Sequence, residues 1–409
     1  MKIITKSQSA RFGSLLTGAV ALLAFGTANA QWSFEPVLRV GVERDDNATL
    51  SIRTDNVLDV SGLLADISVR MDYQSARSSF FLTPRLLSRN YKDNPEIDSD
   101  DIFVKSEYRF SGQSSEFRLR IGFDEQSVRT AERSDVDLDI DDPGDIPDDD
   151  TGFVSLQDDR RRIRVSPRWA YQFSDATSGS IELNYLDTSF ADSLQLILND
   201  FTDARLRLGL DRAFSDRTVG RLLVTGRKYE VSDGSSDADG VGVMVGFDRL
   251  LSSTTTARFM VGVEDTDSSI SQADPQIITD ISLRQRLETV NILAQYRRSV
   301  AASGAGKLSV RDQVSLNLSR LLSEKITAGI GARMYQTNSL DNVVTIDERN
   351  YVQLRAQLIW NMTRNFATEF DYRYTFQKRS ALGESSNSNQ INVWFVYHPN
   401  SIDRRFTRR

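Results

Sequence analysis

The stretch Arg160–Phe173, which reads RRRIRVSPRWAYQF, has two unlike faces when it is drawn as an extended strand. Its odd-numbered residues from Ile163 to Phe173 are apolar or aromatic, whereas its even-numbered residues from Arg160 to Arg168 are four arginines and a serine. A period of two is typical of a β-strand, because successive side chains point to opposite faces of the sheet. We expect one face of this strand to meet lipid and the other to meet water.

The same alternation returns in residues 116–124, 203–211 and 366–376, and tight turns alternate with long polar loops along the chain. This arrangement is typical of outer-membrane barrels, in which the short turns lie on the periplasmic side. The sequence therefore predicts an all-β fold, a transmembrane antiparallel β-barrel of about 18 strands, with 16 strands or a soluble sandwich, propeller or solenoid as alternatives. The predicted strands span residues 32–46, 57–72, 78–91, 100–111, 115–130, 159–173, 177–190, 200–214, 217–231, 239–251, 254–267, 276–286, 290–300, 310–322, 326–338, 348–361, 366–379 and 388–398.

Aromatic residues cluster where the predicted strands meet the short turns, which is where an interfacial girdle belongs. They are Trp32, Phe34, Trp169, Tyr171, Phe173, Phe214, Trp360, Phe366, Trp394, Phe395 and Tyr397. This clustering argues against the soluble alternatives.

The first thirty residues have the pattern of a secretory signal peptide. A cationic start is followed by an apolar stretch over 15–25 and by Ala28-Asn29-Ala30, and the apolar run is too short to span a membrane. We therefore predict a signal peptide over 1–30, an outer-membrane β-barrel over 31–398 and a basic periplasmic tail over 399–409. The implied location is the outer membrane of a Gram-negative bacterium.

Composition excludes several kinds of chemistry. The chain has 409 residues, no cysteine and a single histidine, His398. Thiol nucleophiles and cysteine-based zinc sites are thereby excluded, and a Ser-His-Asp triad is disfavoured. We predict no enzyme activity, no cofactor and no nucleic-acid partner.

The cationic residues are strongly biased, since eight of the 50 are lysines and the rest are arginines. If the apolar face meets lipid, arginines line the lumen, and they are densest in residues 116–168. The arginine fork pairs with a carboxylate of the protein or of a ligand. Cross-strand ion pairs that fill the barrel and an electropositive conduit for an anionic polymer or solute are therefore both open. The candidate lumen and anion-binding residues are Arg118, Arg120, Arg162, Arg164, Arg168, Arg205 and Arg207.

The longest connection of the chain carries a run of acidic residues. Nine aspartates lie between Asp135 and Asp150, and such a like-charge run is usually a solvated loop. A calcium-binding loop and a plug that folds onto the arginine wall are the alternatives, although the calcium-loop signature D-x-[DN]-x-[DN]-G is absent and leaves any metal unknown. The candidate residues are Asp135, Asp137, Asp139, Asp141, Asp142 and Asp145.

Three short motifs resemble the β-barrel porins found with exopolysaccharide biosynthesis genes. They are Trp32–Pro36 with Gly41–Asn47, Arg297–Val300 with Arg311–Arg320, and Phe370–Tyr374. The resemblance covers essentially the whole chain after the leader. One departure is that the last predicted strand stops near Tyr397 and is followed by Pro399–Arg409, whereas many outer-membrane barrels end in an aromatic residue.

The resemblance implies a barrel tied to export or surface assembly of an extracellular polysaccharide. Its implied partners are outer-membrane lipids, the outer-membrane assembly machinery, and the exopolysaccharide with the components of its export system. We therefore expect an outer-membrane channel that exports an anionic exopolysaccharide through an arginine-rich lumen. A general or anion-selective diffusion porin for small solutes is the alternative, and a structural or adhesive barrel with a closed lumen is a third hypothesis.

Overall fold

A computed structural model describes residues 31–51, 57–132, 159–191, 198–232, 234, 236–268, 274–340, 348–379 and 384–399. The predicted signal peptide, the six acidic-loop candidates and residues 400–409 of the predicted tail lie outside these ranges.

The described residues form eighteen strands in one antiparallel sheet that closes on itself. The last strand pairs with the first from Leu38↔Tyr397 to Asp45↔Gln390, which confirms the 18-stranded barrel and excludes sixteen strands and the soluble alternatives. The strands are β1 Gln31–Asp45, β2 Val60–Gln74, β3 Ser78–Asn90, β4 Ser99–Ser111, β5 Ser115–Ser127, β6 Asp159–Ser174, β7 Thr177–Phe190, β8 Phe201–Ser215, β9 Thr218–Val231, β10 Ala238–Ser252, β11 Thr255–Ser268, β12 Gln276–Arg286, β13 Val290–Ser303, β14 Lys307–Ser323, β15 Ile326–Ser339, β16 Arg349–Asn361, β17 Phe366–Arg379 and β18 Glu384–Tyr397.

The period-two alternation places apolar side chains on the outside of the barrel and polar ones inside. Leu63 is 64% exposed on the outer face of β2, whereas Asp66 on its inner face is 3% exposed. An apolar outer surface with a polar interior inverts the arrangement of a soluble protein and suits a barrel whose outside meets lipid. The structure therefore has the inside and outside that the sequence predicts.

Four of the short turns share one construction. Ser174, Ser215, Ser252 and Ser323 each follow a large outward-facing apolar residue, and each accepts a hydrogen bond at Oγ from the backbone N–H two residues later. The strand register shifts at each of these turns. A side-chain acceptor that satisfies a turn N–H explains the recurrent serine.

Most of the predicted aromatic girdle is exposed on the outer surface, including Phe214 at 71% and Trp360 at 45%. Trp394 is an exception and its assignment was wrong, because it lies on the inner face of β18 between the buried residues Asn392 and Val396. A Cβ added to Gly41 on β1 would lie 2.8 Å from the Trp394 ring. The glycine thus makes room for an indole inside the barrel.

The connection between β13 and β14 differs from the prediction. The two strands extend to Ser303 and from Lys307, so a turn of three residues replaces the predicted loop over 301–309. Gly306 adopts φ +74 in this turn, a conformation that costs a residue with a Cβ more than it costs glycine. The tight hairpin is longer than the neighbouring wall requires, and its tip lies inside the barrel.

A short helix, α1, spans Val128–Glu132 directly after β5, and a 3₁₀ turn spans Pro95–Ile97 after β3. Among the described residues, no helix has both the length and the apolar character needed to cross a membrane.

Candidate functional site

Three arginines lie side by side on the inner faces of β4, β5 and β6. Arg109 is directly opposite Arg118, and Arg118 is directly opposite Arg168. Alternation explains why all three face inward, since each is flanked along its strand by outward apolar residues. We call Arg109, Arg118 and Arg168 the arginine row, and Arg120 and Arg207 flank it.

Like charges directly opposite each other destabilise a sheet. Two glutamates reduce this repulsion from the sides of the row. Glu107 lies 3.2 Å from Arg109 and 3.0 Å from the flanking Arg120, and Glu182 lies 3.9 Å from Arg168 and 3.6 Å from the flanking Arg207. Each glutamate is therefore shared between two arginines.

Arg118 occupies the centre of the row. Among the described residues, no carboxylate lies within ion-pair distance of its guanidinium, and Arg109, Arg120 and Arg168 repel its charge while the more distant Glu107 attracts it. Arg109 and Arg168 are 44% and 31% exposed at their side chains, so the row faces water in the lumen. An arrangement of this kind has an unfilled capacity for an anion.

The other predicted arginines have different surroundings. Arg162 donates to Asp124 at 2.8 Å and its side chain is only 10% exposed, so its fork is held by the wall. Arg205 lies 2.8 Å from Asp203 and donates to the Val300 carbonyl at 3.4 Å. Arg164 lies on the same face, opposite Gly122 on one side and Leu186 on the other. The structure therefore brings Arg118, Arg120, Arg168 and Arg207 together around two shared glutamates, and it pairs the more buried Arg162 and Arg205 with aspartates.

The opposite wall of the lumen is built mainly of neutral polar side chains on β14–β18. Most are buried, and Gln353 has no exposed surface. Gln377 donates to the Leu50 carbonyl at 3.2 Å, which shows that this wall holds the inward connection after β1. The residues are Gln313, Asn317, Gln353, Thr375, Gln377, Gln390 and Asn392. The arginines of this wall, such as Arg311, Arg349 and Arg373, are buried, whereas the more exposed lumen arginines lie on other strands, among them Arg85, Arg109 and Arg258.

The tip of the β13–β14 hairpin, residues 299–310, crosses the extracellular half of the lumen above the arginine row, and we call it the inward hairpin. Val300 and Val310 pack with Phe201, Tyr229 and Val231 of β8 and β9 in one buried apolar cluster. Those strands lie four and five positions away from β13 around the ring. The contact therefore cannot be one between neighbouring strands of the wall.

Polar contacts fix the same tip. Arg227 donates to the Val300 carbonyl at 3.0 Å, and the backbone N–H of Asn199 donates to the Gly304 carbonyl at 2.9 Å. Asp203 holds Arg227 through two hydrogen bonds of 2.9 Å. Sequence reasoning missed this element, although Gly304-Ala305-Gly306 between two apolar runs could have indicated a tight turn.

Helix α1 is a second element that reaches across the extracellular mouth. Glu132 at its end forms an ion pair with Arg349 of β16 at 2.6 Å, and both side chains are at most 2% exposed. Strands β5 and β16 are seven positions apart around the ring. Val128 belongs to the same apolar cluster as the inward hairpin, so the two elements share one buried core.

Within the described ranges, no group of three or more histidine, cysteine or acidic side chains could hold a metal ion. The calcium alternative concerned residues outside those ranges and stays a prediction.

A closed barrel with a lipid-facing outer surface, short turns at one end and inward connections at the other defines an outer-membrane β-barrel of porin-like fold. No family model and no curated protein sequence matches the chain. Several solved structures are similar in fold, and three of them are described next.

The outer membrane channel DcaP of Acinetobacter baumannii is 10% identical, with a TM-score of 0.42 over 91% of this chain and 98% of that chain. OccK5 (OpdH) of Pseudomonas aeruginosa is 10% identical, with a TM-score of 0.45 over 90% of this chain and 98% of that chain. The siderophore receptor PirA of Acinetobacter baumannii is 6% identical, with a TM-score of 0.45 over 91% of this chain and 81% of that chain. Likenesses of this size say nothing about what this chain transports.

Proposed function

We propose that this chain is an outer-membrane channel for an anionic solute and that the arginine row is the site at which the anion is bound as it passes. The observation that carries the proposal is Arg118, a half-buried guanidinium between two further arginines and without a carboxylate of its own among the described residues. A ring or row of arginines in a lumen favours anions over cations. An anion in this position relieves the repulsion along the row.

We further propose that the anion is an exopolysaccharide that leaves the cell. The sequence resemblance to porins found with exopolysaccharide genes supports this cargo. The spacing of the row supports it as well, because cationic groups about 5 Å apart on adjacent strands can bind successive charged units of a polymer. The hydroxyl of Ser166 and the amide of Asn184, which are hydrogen bonded at 2.9 Å beside the row, suit the hydroxyl groups of a sugar.

A diffusion porin for small anions is the second candidate, and the same row supports it. The two elements across the extracellular mouth weigh against it, since a general porin conducts without any rearrangement. An outward path for a polymer, in contrast, requires a mouth that stays closed when no polymer is being exported.

The test uses the refolded chain from Gln31 onward in a planar bilayer under a salt gradient. We expect a reversal potential that indicates anion preference. We then expect an oligouronide of about ten units to block the current at lower concentration than a neutral dextran of the same size, because only the oligouronide pairs with several arginines.

Arg118→Gln removes the central charge, and Arg161→Gln is the matched control because Arg161 lies on the outer face of β6, 3.2 Å from Glu125. We expect the first variant to weaken the oligouronide block and the second to leave it unchanged. Anion preference with equal block by oligouronide and dextran would favour the small-solute porin. An open channel without anion preference would refute both candidates.

A further inference from the structure

The inward hairpin leaves the barrel wall on its β12 side only, because Ser309 and Val310 remain paired with Ser339 and Asn338 of β15. Strand β12 begins at Gln276, yet its pairing with β13 ends at Thr279↔Arg298. Residues 276–278 remain paired with β11 on their other side. The edge of β12 that faces β13 is therefore free of backbone pairing with β13 over these three residues.

The surroundings of the outer face of β14 change at the same level along the barrel axis. Val314 and Leu316 are 48% and 42% exposed on the outer face of β14, whereas Val310 and Leu308 belong to the same face and are buried inside the lumen. Asp312 lies between the two pairs and accepts hydrogen bonds of 2.8 Å from Tyr296 and Arg298. The outer face of the strand thus turns from lipid to lumen around Asp312.

The hairpin also has a second place to pair. Continuing the β12–β13 register sets Ser299 opposite Ile278, Val300 opposite Ile277 and Ala301 opposite Gln276. Ile277 is 59% exposed on the outer face of β12, so Val300 would join an apolar outer surface there. Arg298 Nε now donates to the Ile277 carbonyl at 3.1 Å, one of the groups on that side of the β12 edge.

The apolar face of the hairpin is therefore compatible with two positions. Inside, Val300, Ala302, Leu308 and Val310 pack in the apolar cluster with β8 and β9, and outside they would lie on the outer face beyond Asp312, with Val300 next to Ile277. The hairpin thus has two alternative packing surfaces, which is the property of a two-state element.

We infer that residues 299–310 form a gate, which closes the extracellular mouth when it lies against β8 and β9 and opens it when it pairs with β12. The inference rests on the proposed function in so far as a gate requires a path to close, but the movement of the hairpin is measurable without any transport. Arg205 and Arg227 are then positioning residues of the closed state, because both donate to the Val300 carbonyl. Arg205 was predicted from the sequence to bind cargo.

Two double-cysteine variants test the movement in a chain that has no cysteine of its own. Ile277→Cys with Val300→Cys places thiols opposite each other only in the open position, where the Cα atoms of facing residues are about 5 Å apart. The matched control is Ile281→Cys with Tyr296→Cys, which already face each other on the outer surface. Disulfide formation is followed on non-reducing gels after mild oxidation of the folded barrel.

We expect the control pair to cross-link at once and the 277/300 pair to cross-link slowly and to completion. Cross-linking of the control without any at 277/300 would overturn the gate, whatever the conductance of the barrel. A conductance at least tenfold higher in the oxidised 277/300 variant than in the reduced one supports it. Completed cross-linking with an unchanged non-zero current would overturn it.

A closed-state tether provides the opposite test. Ala305 lies between Gly304 and Gly306, both of which contact Asn199, so Asn199→Cys with Ala305→Cys can be joined by a short bifunctional thiosulfonate. We expect the tether to abolish the current and dithiothreitol to restore it, and an unaltered current would overturn the gate. The 277/300 pair could also cross-link fully in a barrel that never conducts. In that case the hairpin moves as inferred, but the proposed channel function fails and the movement does not act as a gate.

Discussion

Reversing the charge of Arg118 is the sharpest perturbation of the proposed site. Arg118→Glu changes the charge at the centre of the arginine row by two units and places a carboxylate beside Arg109 and Arg168, its cross-strand neighbours. The new carboxylate can pair with either arginine. The variant therefore neutralises the arginine row with a side chain of the protein and removes its capacity to bind an anion from solution. Folding should suffer little, because opposite charges replace like charges across the strands.

The magnitude follows from Coulomb's law. An anion about 6 Å from one unit charge gains about 0.7 kcal/mol in bulk water, so a change of two units costs about 1.4 kcal/mol, a factor of about ten in binding. Screening at 0.1 M salt acts over about 10 Å and reduces this interaction to about 0.8 kcal/mol. We expect the anion-to-cation permeability ratio to fall about fourfold.

The assay is the reversal potential under a tenfold salt gradient, measured in the same bilayer for the wild-type chain, Arg118→Glu and the outward-facing control Arg161→Gln. The wild-type and control potentials should agree, and the Arg118→Glu potential should move toward cation preference. A potential that stays at the wild-type value in Arg118→Glu would refute the assignment of the anion site to the row, because no other single change reverses the charge at its centre.

Three further changes test the scaffold. Glu132→Gln should lower the stability of the extracellular half by about 3–5 kcal/mol, because it leaves the buried Arg349 without its ion-pair partner. The temperature at which the folded band disappears on a gel should fall accordingly. Glu132→Leu with Arg349→Met should recover most of the loss, and no recovery would contradict the ion-pair account. Gly262→Val should prevent assembly, because a Cβ at this position lies 2.0 Å from the Val243 carbonyl oxygen; a variant that folds with normal yield would show that the β10–β11 corner can relax. Burial and the nearby Glu43 carboxylate raise the pKa of Tyr91, so its hydroxyl stays protonated and donates to Glu43 at 2.5 Å; Tyr91→Phe should cost about 1–3 kcal/mol in thermal unfolding, and a smaller change would mean that Gln390 satisfies Glu43 alone.

The strands were predictable because lipid and water impose a strict alternation on each of them. The strand count, the inside and outside of the wall and the inward direction of Arg118 all follow from that period. The girdle prediction for Trp394 is wrong because it rests on the position of an aromatic residue near a strand end and ignores which face of the strand that residue occupies. The neighbouring Asn392 and Val396 show that parity alone would have placed it inside.

The inward hairpin could not be predicted from alternation. Val300, Ala302, Leu308 and Val310 have the apolar period of a lipid-facing strand, and the same period serves when the strand packs against β8 and β9. Which of the two surfaces a face meets depends on tertiary contacts, here with Tyr229 and Val231. For the same reason, Arg162 and Arg118 are alike in sequence, and only the position of Asp124 makes the first a structural ion pair.

The four serine turns have a consequence for how such a chain changes in length. Since each turn has the same construction, the segments from Ser174 to Ser215 and from Ser215 to Ser252 each contain two strands with identical boundary chemistry, and the segment from Ser252 to Ser323 contains four. Duplication or loss of a two-strand segment keeps both ends of the chain on the same side of the membrane and leaves the parity of all other strands unchanged. The circumference of the barrel can therefore evolve in steps of two strands while the periplasmic rim keeps its structure.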